Sequence, residues 1–152
     1  MHSQIVYAGE RWPSHQIDDF KKIYDSLPCQ TPYRYINSGT VIGYAQALKN
    51  MLKTIKQYDT GLPEVCRCFA DLPCDQTFVS KYFVENPGSI KLDYDCELFW
   101  CCSGEWEIME KISAWQDGKF LNTITQKSPA LIHVPWSSQF GGVYLSLAGR
   151  LI

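Results

Sequence analysis

The sequence lacks both long hydrophobic runs and blocks of positive charge. No apolar run among the 152 residues approaches the roughly 18 residues that a membrane-spanning helix needs. Lysine and arginine are scattered along the chain, and the formal net charge is −2. Because phosphate binding needs clustered positive charge, we expect no nucleic-acid partner. The sequence therefore predicts a protein that neither crosses a membrane nor binds nucleic acid.

Export signals, repeats and linkers are also missing. The first four residues, Met-His-Ser-Gln, do not begin a charged region followed by an apolar core, so no signal peptide is visible and the compartment stays open. There is no internal repeat or low-complexity tract. A chain of 152 residues is long enough for one domain with a core and too short for two ordinary ones, so we predict a single domain over residues 1–152.

Zinc-binding cysteine patterns are absent although cysteine is abundant. The chain has seven cysteines, an odd number, and the spacings at Cys66-Arg67-Cys68 and Cys101-Cys102 match no zinc template. We expect free, buried thiols. With 45% hydrophobic and 20% charged residues, the composition is that of an ordinary globular protein.

The stretch Pro32–Ala45 is the most informative part of the chain. An aromatic and β-branched run, Tyr33–Ile36, is followed by the turn-forming residues Asn37-Ser38-Gly39 and by a second apolar run, Thr40–Tyr44. This order predicts a strand, a turn, a strand and then a helix. Turns at strand ends are where α/β proteins hold ligands, because small residues let the backbone approach a bound molecule.

Hydrophobic periodicity predicts alternating strands and helices around that stretch. Ile5–Ala8 is expected to be a buried strand that leads into a loop over residues 9–13, and an apolar stripe from Ile17 to Leu27 predicts a helix. Leu48, Met51, Leu52 and Ile55 follow a helical spacing, with the apolar face in the core. The remaining predicted elements are a helix of 45–58, a connection at 59–71, a helix from 74 to about 85, strands at 90–92, 97–100, 120–124 and 130–134, a strand or helix at 106–112, a hairpin turn at 117–118, and a closing element at 144–152.

The same central stretch carries a resemblance to a known family. Arg34-Tyr35-Ile36-Asn37-Ser38-Gly39, followed by Ile42-Gly43-Tyr44-Ala45, resembles the "RYLNSG…IGYA" signature of the glycosyltransferase domain of procollagen lysyl hydroxylases. Leu92-Asp93, Cys96 and Phe99 are similar to the family's "LDxxCxxF". The resemblance implies an α/β fold of the Rossmann-like, nucleotide-sugar glycosyltransferase (GT-A) type. It also implies that the chain is the second half of that domain, without the N-terminal nucleotide-binding half.

The resemblance implies a glycosyltransferase reaction. The expected chemistry is metal-dependent transfer of a hexose from a UDP-sugar to a hydroxyl acceptor such as hydroxylysine or galactosylhydroxylysine, with Mn²⁺ as cofactor. The alternative is a catalytically inactive relative that binds a glycan or a protein, or that oligomerises. The family works in the secretory lumen, where disulfide bonds would be the alternative to free thiols. Without the N-terminal half of the domain, strand edges would be exposed. This predicts that the chain forms a homo-oligomer or associates with that half.

His133 is the candidate metal ligand. It matches the histidine of the family's "IHGNG", which serves as a late ligand of the cation. A single histidine cannot hold a hard cation alone, and a lone histidine at a strand end is more often structural. The sequence Asp93-Tyr94-Asp95 is not expected to be the metal motif, because it aligns with the family's "LDxxC" strand.

Asp75 is the candidate catalytic residue and Gln76 a candidate sugar-binding residue. Cys74-Asp75-Gln76 occupies the place of the family's "DDQ", whose carboxylates lie near the transferred sugar, and Cys74 replaces the first carboxylate. A carboxylate there can orient sugar hydroxyls or stabilise an oxocarbenium-like transition state. The alternative for Asp75 is a charge at a helix start that interacts with the helix dipole.

Four more residues are expected to contact the donor sugar. Trp12 matches the tryptophan of "CWPD", which covers the mouth of the active site, and its alternative is a protein-contact residue. Asn37, Ser38 and Gly39 are expected to line the sugar pocket, and their alternative is an ordinary turn. After His133 the family's "GNGPTK" is replaced by Val-Pro-Trp-Ser-Ser-Gln, which removes the glycines and the lysine that suit a diphosphate and so favours the inactive alternative.

Overall fold

The computed structural model describes residues 4–13, 18–58, 67–69, 72–103 and 109–134. The strands in these ranges are β1 (Ile5–Glu10), β2 (Tyr35–Gly43), β3 (Arg67–Phe69), β4 (Leu72–Pro73), β5 (Ile90–Asp93), β6 (Phe99–Cys101), β7 (Ser113–Gln116), β8 (Lys119–Asn122) and β9 (Leu131–His133). The helices are α1 (Asp18–Ser26), α2 (Ala45–Ile55), α3 (Asp75–Glu85) and the short α4 (Met109–Ile112). The predicted closing element at 144–152 and residues 59–66, 70 and 71 of the predicted connection lie outside the described residues. Residues 67–69 of that connection form β3, so the prediction of a connection is wrong there.

The main sheet has the order β2-β1-β5. Strand β2 runs antiparallel to β1, and β5 runs parallel to it. Three smaller pairs accompany this sheet: β3 with β4, the parallel pair β6 and β9, and the hairpin of β7 and β8. The architecture is mixed α/β, as predicted, while the finer Rossmann-like GT-A assignment stays a prediction.

Strand β2 corrects the prediction of two strands joined by a turn at Asn37-Ser38-Gly39. In the register with β1, Tyr7 is opposite Val41 and Ala8 is opposite Asn37, so residues 38–40 have no partner on β1. These residues form a bulge inside one continuous strand, because the extra residues bend outward without reversing the chain. The side-chain Oδ1 of Asn37 accepts a hydrogen bond from the backbone N–H of Gly39 at 2.9 Å, which fixes the bulge locally.

Helices α1, α2 and α3 cover one face of the main sheet. The buried side chains of this core are Ile5, Tyr7, Tyr24, Ile36, Met51, Val79, Phe83, Ile90 and Leu92. Helix α2 buries Met51 and packs Leu48 and Ile55 against the cluster, as its spacing predicted. Leu52 is the exception, with 58% of its surface exposed. It follows Met51 directly and is therefore rotated about 100° around the helix, away from the sheet.

The other face of the sheet carries cysteine-rich packing. Ala8 forms a buried cluster with Phe99 and Cys101 of β6, and Val6 packs against it. The cysteines whose side chains are described are thiols outside any disulfide bond: Cys29, Cys74, Cys96, Cys101 and Cys102. All of them except Cys74 are buried, which confirms the prediction for these positions. The prediction for the cysteines at positions 66 and 68 stays untested.

The C-terminal described region contains the predicted hairpin. Asp117 and Gly118 have φ angles of 50° and 72°, the left-handed values that a two-residue turn between β7 and β8 requires. Strand β9 is less buried than predicted, because Leu131 is 45% exposed. Among the described helices, none combines the length and the apolar character that a membrane crossing requires.

Candidate functional site

A buried carboxylate, Glu10, lies at the centre of the site. The sequence placed Gly9 and Glu10 in a loop, but β1 continues through both, because they pair with Ile36 and Tyr35 of β2. Glu10 is fully buried. Its Oε1 accepts a hydrogen bond from Nε2 of Gln76, and its Oε2 accepts one from Nδ2 of Asn37 at 3.3 Å. Because burying a charge is costly without such partners, these bonds fix both amide side chains to the end of β1.

Gln76 connects helix α3 to the bulge of β2. Its Oε1 accepts hydrogen bonds from the backbone N–H of Ser38 at 3.2 Å, from Oγ of Ser38 at 3.4 Å and from Nδ2 of Asn37 at 3.5 Å. Gln76 and Asn37 are both buried. The structure therefore brings together Asn37, Ser38 and Gln76, three predicted sugar-binding residues, through one hydrogen-bond network that also contains Glu10.

Gly39 and His133 contact each other at the bulge of β2, next to this network. His133 ends β9 and is paired with Cys101 of the neighbouring strand β6. A Cβ atom added to Gly39 would overlap Nε2 of His133 and would lie 2.9 Å from its Cε1, so the imidazole lies against the backbone of the bulge. Burial lowers the pKa of His133 below its usual value of 6.5. The ring is accordingly neutral at neutral pH, which is the form that binds a metal or accepts a hydrogen bond.

Asp75 lies beside the network with its carboxylate exposed. It is the first residue of α3, directly before Gln76, and Cys74 at the N-cap position makes no side-chain capping hydrogen bond. Tyr7 of β1 is close enough to feel the charge of Asp75. Burial, as the larger cause, and the negative charge of Asp75 together raise the pKa of Tyr7 to about 12. A carboxylate at a helix start interacts favourably with the helix dipole, so the exposed position also has a structural explanation.

Trp12 lies two residues beyond Glu10 and is 54% exposed. The guanidinium carbon of Arg11 is 5.5 Å from the centroid of its ring. An exposed indole next to a polar site is suited to stack on a sugar ring or on a protein surface.

The described residues do not form a metal site on their own. In the part of the chain that the structure describes, no group of three or more His, Cys, Asp or Glu side chains is placed to hold a cation. Manganese prefers carboxylate and other oxygen ligands, so His133 alone does not meet its requirements. The manganese dependence that the resemblance implies therefore stays a prediction.

The Asp-x-Asp sequence has a structural role, consistent with the expectation that it is not the metal motif. Asp93 is buried, and its two carboxylate oxygens accept hydrogen bonds from the backbone N–H groups of Glu97 at 3.0 Å and of Leu98 and Phe99 at 2.8 Å. These bonds stabilise the turn between β5 and β6. Asp95 points to solvent.

Sequence reasoning missed Glu10, because the partners that bury it come from distant parts of the chain. The carboxylate directly follows the apolar run of β1, and composition alone assigned the Gly9-Glu10 pair to a loop. A charged residue at the end of a buried strand can itself be buried only if it has hydrogen-bond partners. Here the side chains of Asn37 and Gln76 are those partners. Chemically, the site offers a fixed buried carboxylate, neighbouring amide and hydroxyl groups, and the exposed carboxylate of Asp75.

Comparison with known proteins agrees with the motifs around this site. The family model described as the PLOD GT domain matches residues 1–141. The chain is also 31% identical over 101 residues to an uncharacterised protein of Acanthamoeba polyphaga mimivirus, in an alignment that covers 64% of this chain and 18% of the viral protein. The chain thus spans less than a fifth of that relative. Because the family match extends over most of the sequence, the chain belongs to the PLOD glycosyltransferase domain family.

Proposed function

We propose that this chain takes part in the transfer of a hexose from a UDP-sugar to a hydroxyl acceptor of the hydroxylysine or galactosylhydroxylysine type. The observation that carries the proposal is the network in which Glu10 and Gln76 fix the bulge of β2 while Asp75 stays exposed beside it. Transferase sites need polar groups that are rigid before the substrate arrives, and buried hydrogen bonds supply that rigidity.

The proposed roles follow from burial. Glu10 and Asn37 are too buried to reach a substrate freely, so they act as positioning residues that hold Gln76 and the bulge in place. Ser38 and Gly39 lie at the exposed side of the bulge and form the wall against which the sugar binds. The exposed Asp75 carboxylate accepts hydrogen bonds from sugar hydroxyls and stabilises positive charge that develops at the anomeric carbon. Trp12 covers the ring.

In the proposed reaction the acceptor hydroxyl oxygen forms a bond to the anomeric carbon while the bond from that carbon to the UDP oxygen breaks. The acceptor proton passes to solvent or to a carboxylate, and UDP leaves as an anion. His133 is the one residue of the described part for which we propose a metal-binding role. The remaining ligands of a cation would come from residues of this chain outside the described ranges.

The function is tested by assaying transfer directly. The purified chain is incubated with Mn²⁺, a hydroxylysine-containing peptide and either UDP-galactose or UDP-glucose. The mass of the peptide is then measured by mass spectrometry. We expect a mass gain of one hexose and a loss of roughly tenfold or more in rate for Asp75→Asn, because a hydrogen bond to a charged group contributes about 1.5–3 kcal/mol. Asp95→Asn, an exposed carboxylate elsewhere, is the matched control and should retain the rate.

An inactive binding module is the second candidate function. It is favoured by the lack of a three-ligand cation site among the described residues. Its signature would be saturable binding of the hydroxylysine peptide or of its glycosylated form without any transfer, with both UDP-sugars present. That result would contradict the transferase proposal.

A further inference from the structure

The bulge of β2 fixes which way the two buried amides of the network point. A backbone N–H group only donates, so the side-chain oxygen of Gln76 faces the N–H of Ser38 at 3.2 Å, and that of Asn37 faces the N–H of Gly39 at 2.9 Å. The amide NH₂ groups are left to donate to the two oxygens of Glu10. Reversing either amide would place two donors against each other, which is costly in a buried site.

The bulge has consequently used its hydrogen-bond donors inside the protein. The backbone N–H groups of successive residues are the groups with which a loop ordinarily holds a phosphate. Those of Ser38 and Gly39 donate to amide oxygens instead. The hydroxyl of Ser38 also donates its proton to Oε1 of Gln76, at 3.4 Å. What this hydroxyl still offers to a ligand is the accepting capacity of its oxygen.

Asp75 adds a second acceptor beside the bulge. It directly precedes Gln76 and is exposed. Its Oδ1 accepts a long hydrogen bond from the thiol of Cys74, at 3.8 Å, and among the described residues it has no ion-pair partner. Its negative charge acts on Tyr7, which is paired with Val41 next to the bulge. A ligand at this place therefore meets hydrogen-bond acceptors and a negative charge.

We propose that this part of the site selects its ligand by charge: it binds an uncharged or positively charged hexose through the hydroxyl and ammonium donors of the sugar, and it excludes anionic groups. The diphosphate of a nucleotide sugar accordingly lies away from the bulge, while the hexose contacts Ser38 and Asp75. A sugar that carries a carboxylate is a poor ligand. This inference rests on the proposed function for the identity of the site, but it concerns binding and does not require transfer.

Three sugars that differ at one carbon atom test the proposal without a nucleotide or a metal. Methyl glucoside has a hydroxymethyl group at C6, its 6-amino-6-deoxy derivative has an ammonium group there, and methyl glucuronide has a carboxylate. Each is titrated into the full chain, and the chemical shifts of the backbone amides of Ser38 and Gly39 report its affinity. We expect the glucuronide to bind at least about tenfold more weakly than the glucoside, and the amino sugar to bind at least as tightly. Equal or tighter binding of the glucuronide, or no binding of any of the three sugars at high millimolar concentration, would overturn the proposal.

Inorganic pyrophosphate tests the placement of the diphosphate. Without a metal ion it should neither shift the amide resonances of Ser38 and Gly39 nor displace methyl glucoside, because both N–H groups already have acceptors. Displacement of the glucoside by pyrophosphate would show that the bulge binds anions and would contradict the proposal.

Two variants separate the charge of Asp75 from the hydroxyl of Ser38. Asp75→Asn removes the charge, so the difference in affinity between glucoside and glucuronide should shrink several-fold. Asp95→Asn, which removes an exposed carboxylate elsewhere, should leave the difference unchanged. Ser38→Ala should weaken all three sugars by roughly fivefold, because each loses one acceptor. Circular dichroism verifies that each variant is folded, and an unchanged difference in folded Asp75→Asn would defeat the proposal.

Arg11 is the described cation whose influence has to be excluded. Its guanidinium lies over the ring of Trp12, and an arginine near a sugar is well suited to bind a carboxylate. If Arg11 governs the site, the glucuronide will bind more tightly than the glucoside and will lose this advantage in Arg11→Gln. That result would replace the charge selection proposed for the bulge.

Failure of the charge selection and failure of the transfer reaction give different results. The predicted order of sugar affinities without any hexose transfer would refute the transferase function and support the charge selection. Hexose transfer together with equal affinities for the three sugars would support the function and refute the charge selection.

Discussion

The imidazole of His133, at the end of β9, lies directly against the backbone of Gly39, in the bulge of β2. A Cβ atom at position 39 would overlap Nε2 of His133, so any larger residue would force the imidazole ring to move. The contact links the end of β9 to the bulge of β2 and thereby joins the candidate metal ligand to the proposed sugar-binding wall. The Gly39–His133 contact is therefore the most direct target for mutation.

Gly39→Ala should displace the His133 ring into solvent. Burial lowers the pKa of His133, so a ring that becomes more exposed should have a pKa closer to 6.5. NMR titration of the imidazole resonances measures this shift. The matched control is Gly88→Ala: Gly88 has a φ of 82° and no atom within 4 Å of an added Cβ, so this change strains the backbone without touching His133. A pKa of His133 that is equal in the wild type and in Gly39→Ala would contradict the contact.

The same histidine should make stability depend on pH. Its pKa is lower in the folded state than the usual value of 6.5, so below that value the unfolded chain binds more protons than the folded one. The free energy of unfolding should accordingly decrease as the pH falls below about 6.5 and should be unaffected by His133 above it. Urea unfolding of the wild type and of His133→Gln at several pH values measures the contribution of His133 to stability. We expect the free energy of unfolding to decrease less at acidic pH in the variant than in the wild type.

Glu10→Gln should destabilise the fold through the buried network. The new amide group would place a donor opposite Nε2 of Gln76 or Nδ2 of Asn37, which are donors themselves. Leaving a buried donor without an acceptor costs about 1–3 kcal/mol of unfolding free energy. Glu85→Gln provides the comparison, because Glu85 is exposed and its ion pair with Lys81 across one helical turn contributes about 0.3–0.5 kcal/mol. Equal effects of the two substitutions would argue against a central role for Glu10.

Asp93→Asn should lower stability without changing metal affinity. The asparagine side chain has only one acceptor oxygen, whereas the two oxygens of Asp93 accept hydrogen bonds from the backbone N–H groups of Glu97, Leu98 and Phe99. At least one of these N–H groups would lose its acceptor, which should lower the free energy of unfolding by about 1–3 kcal/mol. Asp95→Asn, two residues away and exposed, should be neutral within about 0.5 kcal/mol. If Asp93→Asn instead abolished Mn²⁺ binding in a folded protein, the Asp-x-Asp sequence would have to be reconsidered as the metal motif.

The sequence predicted α1, α2, α3 and most strands, because their signals are local, whereas the region of α4 was left open as a strand or a helix. The apolar spacing of α2, the helix start at Asp75 and the turn at Asp117-Gly118 all act within a few residues. The bulge could not be foreseen: Asn-Ser-Gly is typical of a turn, and only the register with β1 shows that the strand continues. The family motif pointed to Asn37, Ser38 and Gln76, which the structure joins in one hydrogen-bond network, and their role in sugar binding stays a prediction.

Features that depend on distant partners were the ones that local patterns missed. The burial of Glu10 depends on amides from β2 and α3, which no local pattern contains. The exposure of Leu52 depends on which side of α2 faces the sheet, and the spacing alone allowed both Met51 and Leu52 to be core residues. Both differences arise from tertiary contacts.

The most direct test of the account is calorimetric titration of UDP and UDP-glucose into the purified chain, with and without Mn²⁺. We predict binding that requires Mn²⁺, that is stronger for UDP-glucose than for UDP, and that is weakened in Gln76→Ala, because this change removes the link between α3 and the bulge. The absence of heat at millimolar ligand, with a folded chain and Mn²⁺ present, would contradict a donor-sugar site in this chain.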